Sequence, residues 1–166
     1  MAGPRRSRQP KVPLECHEHA LRLLAVRPRS RRELQTRLLR AGFETSEVDG
    51  ELERLAAVGL LDDAEFARAV AVHQLGARHA GRRAVVSALA AKGVDRATIE
   101  RTLEEVGGSD AARAEELARD RAGRLSGLPA EKAYARLVSF LVRRGHDPGT
   151  AREAARRALG GDPDRE

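Results

Sequence analysis

The chain is poor in aromatic residues, cysteine and long apolar stretches. Aromatic side chains make up only 2% of its 166 residues, and the single cysteine, Cys16, cannot form an intramolecular disulfide. No apolar run approaches the roughly 18 residues that a membrane-spanning helix needs. The segment Met1 to Pro13 is basic but is not followed by the apolar region of a secretory signal. These shortages exclude a disulfide scaffold and a membrane span, and we expect a cytoplasmic protein without membrane contact.

Sequence signatures of catalysis are also missing. The chain has no glycine-rich phosphate loop ending in Lys-Ser/Thr, no dinucleotide fingerprint and no Gly-x-Ser-x-Gly elbow. Cys16, His17 and His19 are close in sequence, but no second cysteine or histidine cluster is present to complete a tetrahedral metal site. Asp62 and Asp63 fit a helix start better than a catalytic pair. We therefore predict that the protein is not an enzyme and has no catalytic residue, metal site or cofactor.

The charge is unevenly distributed. The net charge is +6 and the isoelectric point is about 10.5, which points to an acidic partner such as nucleic acid. Residues 1–13 contain four basic residues, no acidic residue and three prolines, so we predict a disordered basic tail there. The other 153 residues carry 27 basic and 25 acidic side chains, which means that any basic surface must come from their arrangement.

The spacing of apolar residues predicts an all-α fold. Ala, Leu, Arg and Glu dominate, and glycine or proline recurs at intervals that fit short helices. Ser30 with Glu33 forms the pattern of a capping box, and Asp62, Asp95 and Asp147 are expected to cap later helices. We expect Thr45 or Ser46 to cap the third helix. The few aromatic residues are expected in the core, although Tyr134 could also stack on a base.

An internal repeat organises these helices. Gly42, Gly93 and Gly145 are separated by 51 and 52 residues, and the residue four positions before each is a leucine, namely Leu38, Leu89 and Leu141. We therefore predict three tandem three-helix repeat units in an elongated array, stabilised by contacts between neighbours. The predicted units span 14–59, 60–107 and 108–160, and residues 161–166 form a second disordered tail. We expect the protein to be a monomer.

Basic residues recur around the middle helix of each unit. From Arg27 to Arg40 there are six arginines and one acid, and the middle helices of the other two units are also rich in basic residues. If the units stack, these side chains could follow a phosphate backbone and contribute affinity without sequence readout. The candidate residues for contact with DNA are Arg27, Arg29, Arg31, Arg32, Arg37, Arg40, Arg78, Arg82, Arg83, Lys92, Arg136, Arg143 and Arg144.

Two blocks of sequence resemble a known family. The first is Ala20-Leu21-Arg22-Leu23-Leu24 with Arg27, Arg29-Ser30, Glu33-Leu34 and Leu38; the second is Gly59-Leu60-Leu61-Asp62-Asp63 with Phe66-Ala67, Gly81, Leu89, Gly93, Ile99 and Leu103. In this order they resemble the RecX family of bacterial recombinase regulators over about residues 14–107. Val70 stands where we would expect a second bulky aromatic residue, so base-stacking roles are not carried over.

The resemblance implies a regulatory protein that binds the RecA recombinase and its filament on single-stranded DNA. It further implies inhibition of the ATPase and strand exchange of RecA, and so a role in homologous recombination, DNA repair and the SOS response. Double-stranded DNA is a further candidate partner. The residues alone are also compatible with two other functions: a helix-turn-helix transcriptional regulator, and a purely protein-binding helical scaffold.

Overall fold

The computed structural model describes residues 15–160, which form nine α-helices and one short 3₁₀ turn and contain no strand. The predicted tails therefore lie outside the described residues. None of the helices in this range has the length and apolar character to cross a membrane. The helices are α1 (Cys16–Val26), α2 (Arg31–Arg40), α3 (Thr45–Ala57), α4 (Asp63–Leu75), α5 (Arg82–Ala91), α6 (Arg96–Val106), α7 (Asp110–Ala122), α8 (Ala130–Arg143) and α9 (Pro148–Ala158), with the 3₁₀ turn at Gly123–Leu125 after α7.

Most of the predicted helix starts are confirmed. Ser30 and Glu33 form a reciprocal capping box at α2, and the side chain of Asp62 accepts hydrogen bonds from two backbone amides of α4. Asp95 and Asp147 cap α6 and α9 in the same way. The prediction for α3 was wrong, because Thr45 is already helical and Glu44, the residue before it, makes no side-chain capping bond.

The helices pack in three consecutive sets, each around its own apolar cluster. The first set, α1–α3, buries Leu34, Leu38, Leu52 and Leu55, and Leu61 from the following loop completes this cluster. The second set, α4–α6, buries Phe66, Val85, Leu89, Ile99 and Leu103. The third set, α7–α9, packs Leu125, Leu137 and Leu141 against six alanines. Cys16 is a buried member of the first cluster and the ring of His17 bonds to Glu51, so both side chains have a structural role.

The middle helices of adjacent sets meet end to end. At the first junction, Ser30 Oγ at the start of α2 donates to the carbonyl oxygen of Lys92 at the end of α5, over 2.5 Å. At the second, the amide of Gly81 at the start of α5 donates to the carbonyl of Arg144 at the end of α8, over 2.9 Å. Ser30 and Gly81 each lie 12 residues before the glycine that ends their helix. The start of one middle helix therefore contacts the end of the following one at both junctions, through a hydroxyl at the first and a backbone amide at the second.

An aspartate reinforces each junction. Asp63 accepts from the amide of Arg31 over 2.8 Å, and Asp110 accepts from the amide of Arg82 over 3.1 Å. These carboxylates satisfy amides in the first turn of α2 and α5, which would otherwise lack a partner within the helix. In this way the first helix of one set holds the middle helix of the preceding set.

Gly93 and Gly145 suit the junctions for two reasons. Both adopt left-handed conformations, with φ of 79° and 89°, which a residue with a Cβ rarely adopts. Both also face the preceding middle helix: a Cβ on Gly93 would lie 2.2 Å from Arg32 Cδ, and one on Gly145 would lie 2.4 Å from Ala84 Cβ. Gly93 and Gly145 thus end their helices and also permit close approach of the preceding middle helix.

Candidate nucleic-acid interface

A basic cleft lies at the first junction. It has a volume of about 220 Å³ and is lined by Arg32, Thr36, Arg37 and Arg40 of α2, by Ala91 and Lys92 from the end of α5, and by Arg27 and Glu33. We call it the junction cleft. Arg32, Thr36 and Arg40 follow one another at intervals of four residues, which places them along one face of α2. The face is basic because α2 directs Leu34 and Leu38 into the core and its arginines elsewhere.

Among residues 15–160, Glu33 is the only acidic residue that lines the junction cleft. Its carboxylate accepts hydrogen bonds from Lys92 Nζ over 2.9 Å, from Arg27 Nη2 over 3.2 Å and from the amide of Ser30 over 3.2 Å. Burial would raise the pKa of this carboxyl, but the bonds from Lys92, Arg27 and Ser30 outweigh it and lower the pKa to about 2. Glu33 therefore remains charged and links the first set to the second.

The Glu33 arrangement predicts a specific loss of stability in acid. Since its pKa is about 2 when folded and 4.5 ordinarily, its contribution is complete above pH 4.5 and is lost as the pH falls toward 2. Between pH 6 and pH 3 the free energy of unfolding of the wild-type protein should fall by about 2 kcal/mol more than that of Glu33→Gln. Glutamine keeps a capping acceptor but does not titrate. Urea unfolding of both proteins at the two pH values measures the difference, and equal losses would contradict it.

A second cleft extends the basic surface along α4. Its volume is about 400 Å³, and Arg27 and Lys92 line it as well as the junction cleft. Arg78 lies at this second cleft, together with Phe66, Val70 and His73 from α4. Lys92 Nζ is 5.7 Å from the centroid of the Phe66 ring, a cation–π distance. The two clefts therefore form one surface that runs from Arg40 to Arg78.

The third set continues this surface. The guanidinium of Arg144 donates to the carbonyl of Arg78 and lies 5.9 Å from the ring centroid of Phe140 on α8. Arg121, from the last turn of α7, lies 5.1 Å from the same ring. Arg121, Phe140, Arg136 and Arg143 line a cleft of about 430 Å³ between α7 and α8, which we call the α7–α8 cleft. Contacts of neighbouring residues thus connect basic side chains of all three sets.

Nine of the predicted site residues lie on this connected surface, and seven of those carry no ion pair. Within residues 15–160, no carboxylate lies within 4.0 Å of the side-chain nitrogens of Arg32, Arg37, Arg40, Arg78, Arg136, Arg143 or Arg144. Arg27 and Lys92 share the surface but are paired with Glu33. The guanidinium of Arg144 already donates to the carbonyl of Arg78. The other six are available to phosphate oxygens, which guanidiniums can bind in a bidentate manner.

Four predicted site residues lie elsewhere. Arg29 is 6% exposed and its Nε donates to the carbonyl of Leu23 over 3.1 Å, so we remove it from the interface. Burial lowers the pKa of Arg29, as do the charges of Arg27 and Arg37. Arg31 pairs with Glu53 of α3 over 2.5 Å. Arg82 lines a different cleft, with Ile99 and Glu100, while Arg83 is exposed on α5 and lines none of the clefts described above.

Two side chains of the surface were not predicted. Arg121 belongs to α7, where acidic and basic residues alternate, so a count of local charge gives no signal for it. Phe140 was expected in the core, and it does pack against the third cluster, but it is only half-buried. Its position between Arg136 and Arg143, at spacings of four and three, could have indicated a shared face.

Comparisons with known proteins agree on one family. A family model described as the first three-helix domain of RecX matches residues 16–55, and one described as the second three-helix domain matches residues 62–103. The chain is 35% identical to "Regulatory protein RecX" of Mycobacterium sp. (strain KMS) over 99% of its length and 92% of that relative. It is 41% identical to the protein of the same name from Mycolicibacterium smegmatis, over 79% of its length and 72% of that relative.

A solved structure has the same fold. The crystal structure of RecX from Lactobacillus salivarius superposes with a TM-score of 0.77 at 17% identity, covering 86% of this chain and 94% of that one. At this identity the likeness concerns the fold alone, and it confirms the all-helical architecture. The two matched domains, and the identity to a curated relative over nearly the whole length, show that the chain belongs to the RecX family of regulatory proteins.

Proposed function

We propose that this protein binds the RecA recombinase and its filament on single-stranded DNA, and that it lowers the ATPase and strand-exchange activities of RecA. Membership of the RecX family supports RecA as the partner. The same proposal places the protein in the cytoplasm, as a monomer, with a role in homologous recombination, DNA repair and the SOS response.

The observation that carries the nucleic-acid part of the proposal is the connected surface of unpaired arginines. It crosses both junctions, so one chain can contact several phosphates of one strand at once. Individual phosphate contacts are weak, but contacts made by linked sets reinforce one another. Phosphates are the same at every position, so we expect binding without sequence preference. Guanidiniums keep their protons at neutral pH, which suits binding and not acid–base catalysis.

We further propose that α7–α9 are a third copy of the repeat, so that units 14–59, 60–107 and 108–160 form an elongated array. The equivalent contacts of Asp63 and Asp110 at the two junctions support this interpretation. An array in which units contact only their neighbours should have a radius of gyration above the roughly 15 Å of a compact chain of this length. Small-angle scattering measures this value, and a result near 15 Å would contradict the elongated arrangement.

The geometry gives less support to a helix-turn-helix regulator. Such a protein reads bases with side chains near the start of a recognition helix. In α3, the candidate helix, the exposed residues near the start include Glu47 and Asp49, which phosphates would repel. In α6, Arg96 at the first position is paired with Glu100.

A titration with and without RecA tests the proposal. Labelled single-stranded oligothymidylate is titrated with the protein, alone and after RecA and ATP have formed a filament, while ATP hydrolysis is followed. We expect binding to the strand, tighter binding to the filament and a fall in hydrolysis. Unchanged hydrolysis with the protein bound would contradict inhibition. The same titration on duplexes of different sequence tests the transcriptional regulator, which would prefer one of them. Absence of DNA binding with RecA bound would favour a protein-binding scaffold.

A further inference from the structure

The α7–α8 cleft differs from the junction cleft in two ways. Its volume of about 430 Å³ lies in the range of small-molecule binding sites, and no carboxylate from the described residues, 15–160, lines it. The lining also includes apolar and aromatic surface beside the charges: Arg121, Leu125, Ala135, Arg136, Ser139, Phe140 and Arg143. An anion that also carries a flat or apolar group is complementary to this lining.

Phe140 and Arg121 supply the flat surface. The guanidinium carbon of Arg121 lies 5.1 Å from the ring centroid of Phe140, and the guanidinium of Arg144 lies 5.9 Å from it. Planar guanidiniums over an aromatic ring are held by cation–π attraction, and both groups are surfaces on which nucleic-acid bases stack. Phe140 is half-buried: it packs against the third cluster and also lines the cleft.

Arg136 and Arg143 supply the charge. They are separated by seven residues, two turns of α8, and both side chains are exposed at the cleft. Within residues 15–160 neither side chain has an ion pair, and the same is true of Arg121. A phosphodiester that reached this face would meet guanidiniums without displacing any carboxylate of the cleft.

We propose that the α7–α8 cleft binds one unpaired nucleotide of a single-stranded nucleic acid, with its base against the Phe140–Arg121 stack and its phosphate on Arg136 and Arg143. This inference rests on the single-strand binding of the proposed function and adds a site for the base. In a duplex the base is stacked and paired and cannot enter such a cleft. The cleft thereby distinguishes a single strand from a duplex without reading the sequence, because every base has a face that can stack.

The experiment compares strands that differ only in their bases. The probes are labelled oligothymidylate of about 12 nucleotides and an abasic deoxyribose-phosphate strand with the same number of phosphates. The wild-type protein should bind the thymidylate strand about tenfold more tightly, a typical effect of one stacked base. Phe140→Leu, which keeps apolar volume, should remove most of that difference, and Phe140→Tyr, which keeps the ring, should retain it. Phe43→Leu, a half-buried phenylalanine of the first set, is the matched control and should behave as wild type.

A second pair of variants tests the phosphate and guards against misfolding. Replacing Arg136 and Arg143 by glutamine should reduce the slope of log affinity against log salt by about 0.7 on both strands, because the contact with one phosphate is lost. If Phe140→Leu is unfolded at the assay temperature, Arg121→Gln decides, since it removes the guanidinium from the stack and leaves the ring. It should reduce the preference for the thymidylate strand.

Several outcomes would overturn the proposal. They are equal wild-type affinity for the two strands, an unchanged preference in folded Phe140→Leu, an equal loss on both strands in that variant, and an unchanged salt slope in the double arginine variant. The result is independent of RecA. If the strand preference behaves as expected but RecA hydrolysis is unaffected by the wild-type protein, the proposed function fails and the nucleotide site stands. If hydrolysis falls and the preference is absent, only the nucleotide site fails.

Discussion

Replacing Arg32, Arg37 and Arg40 by glutamine is expected to weaken binding to single-stranded DNA about 100-fold at about 0.1 M salt. Each lost phosphate contact lowers the slope of log affinity against log salt by about 0.7 on single strands, so the loss of three contacts lowers it by about 2.1. From 1 M to 0.1 M salt, which is one decade, this change in slope corresponds to about 100-fold in affinity. These arginines line the junction cleft and have no ion pair within residues 15–160. Fluorescence anisotropy at several salt concentrations gives both the affinity and the slope.

The control for this variant changes the net charge equally at other positions. Arg31, Arg68 and Arg96 are paired with Glu53, Glu105 and Glu100, so their replacement by glutamine also removes three positive charges. We expect at most a small decrease in affinity and slope, from the change in net charge. Equal losses in the two triple variants would mean that overall charge, and not the cleft, attracts the strand. Sequence preference should stay absent in both.

Leu38→Ala and Leu89→Ala are each expected to lower the free energy of unfolding by about 2 to 5 kcal/mol. Both side chains are 0% exposed, on α2 and α5, and both occupy the position four residues before the glycine that ends the helix. Truncation leaves a cavity that a small cluster with few aromatic residues fills poorly. Urea unfolding monitored by circular dichroism measures the loss.

Leu39→Ala is the matched control for the core. Leu39 is the next residue on α2 and is 39% exposed, so the same truncation leaves no cavity and should cost well under 1 kcal/mol. A loss as large as that of Leu38→Ala would contradict the assigned faces of α2. A loss in Leu89→Ala much smaller than in Leu38→Ala would contradict the equivalence of the first two sets.

Local features of the fold could be predicted well from the sequence. Helix starts such as Ser30 with Glu33 depend on residues three apart, and buried positions such as Leu38 depend on the helical period, so both are encoded in short segments. The start of α3 was mispredicted because two capping residues are adjacent there and the chain uses neither, beginning the helix at Thr45 itself. Local rules name the residues that can cap but do not decide which of two neighbours becomes helical.

The site could be predicted only in part, because a count of charges along the sequence does not say which way each side chain points. Arg29, Arg31 and Arg32 are almost adjacent, yet the first is buried against the carbonyl of Leu23, the second pairs with Glu53 and the third lines the junction cleft. These outcomes depend on contacts formed elsewhere in the chain. Ser30 bonds to Lys92, 62 residues away, and no local pattern contains that contact. The role of Arg121 beside Phe140 was missed for the same reason.

The end-to-end meeting of the middle helices has a consequence for symmetry. The N-terminus of α2 meets the C-terminus of α5, and the N-terminus of α5 meets the C-terminus of α8. In both contacts the start of a middle helix meets the end of the middle helix of the following set. Such head-to-tail relations contain no two-fold axis. Within residues 15–160, these contacts therefore provide no counterpart to a palindromic operator, whose half-sites are related by a two-fold axis. A single nucleic-acid strand also has a direction, from its 5′ to its 3′ end, so under the proposed function we expect the protein to lie along the strand in one preferred orientation.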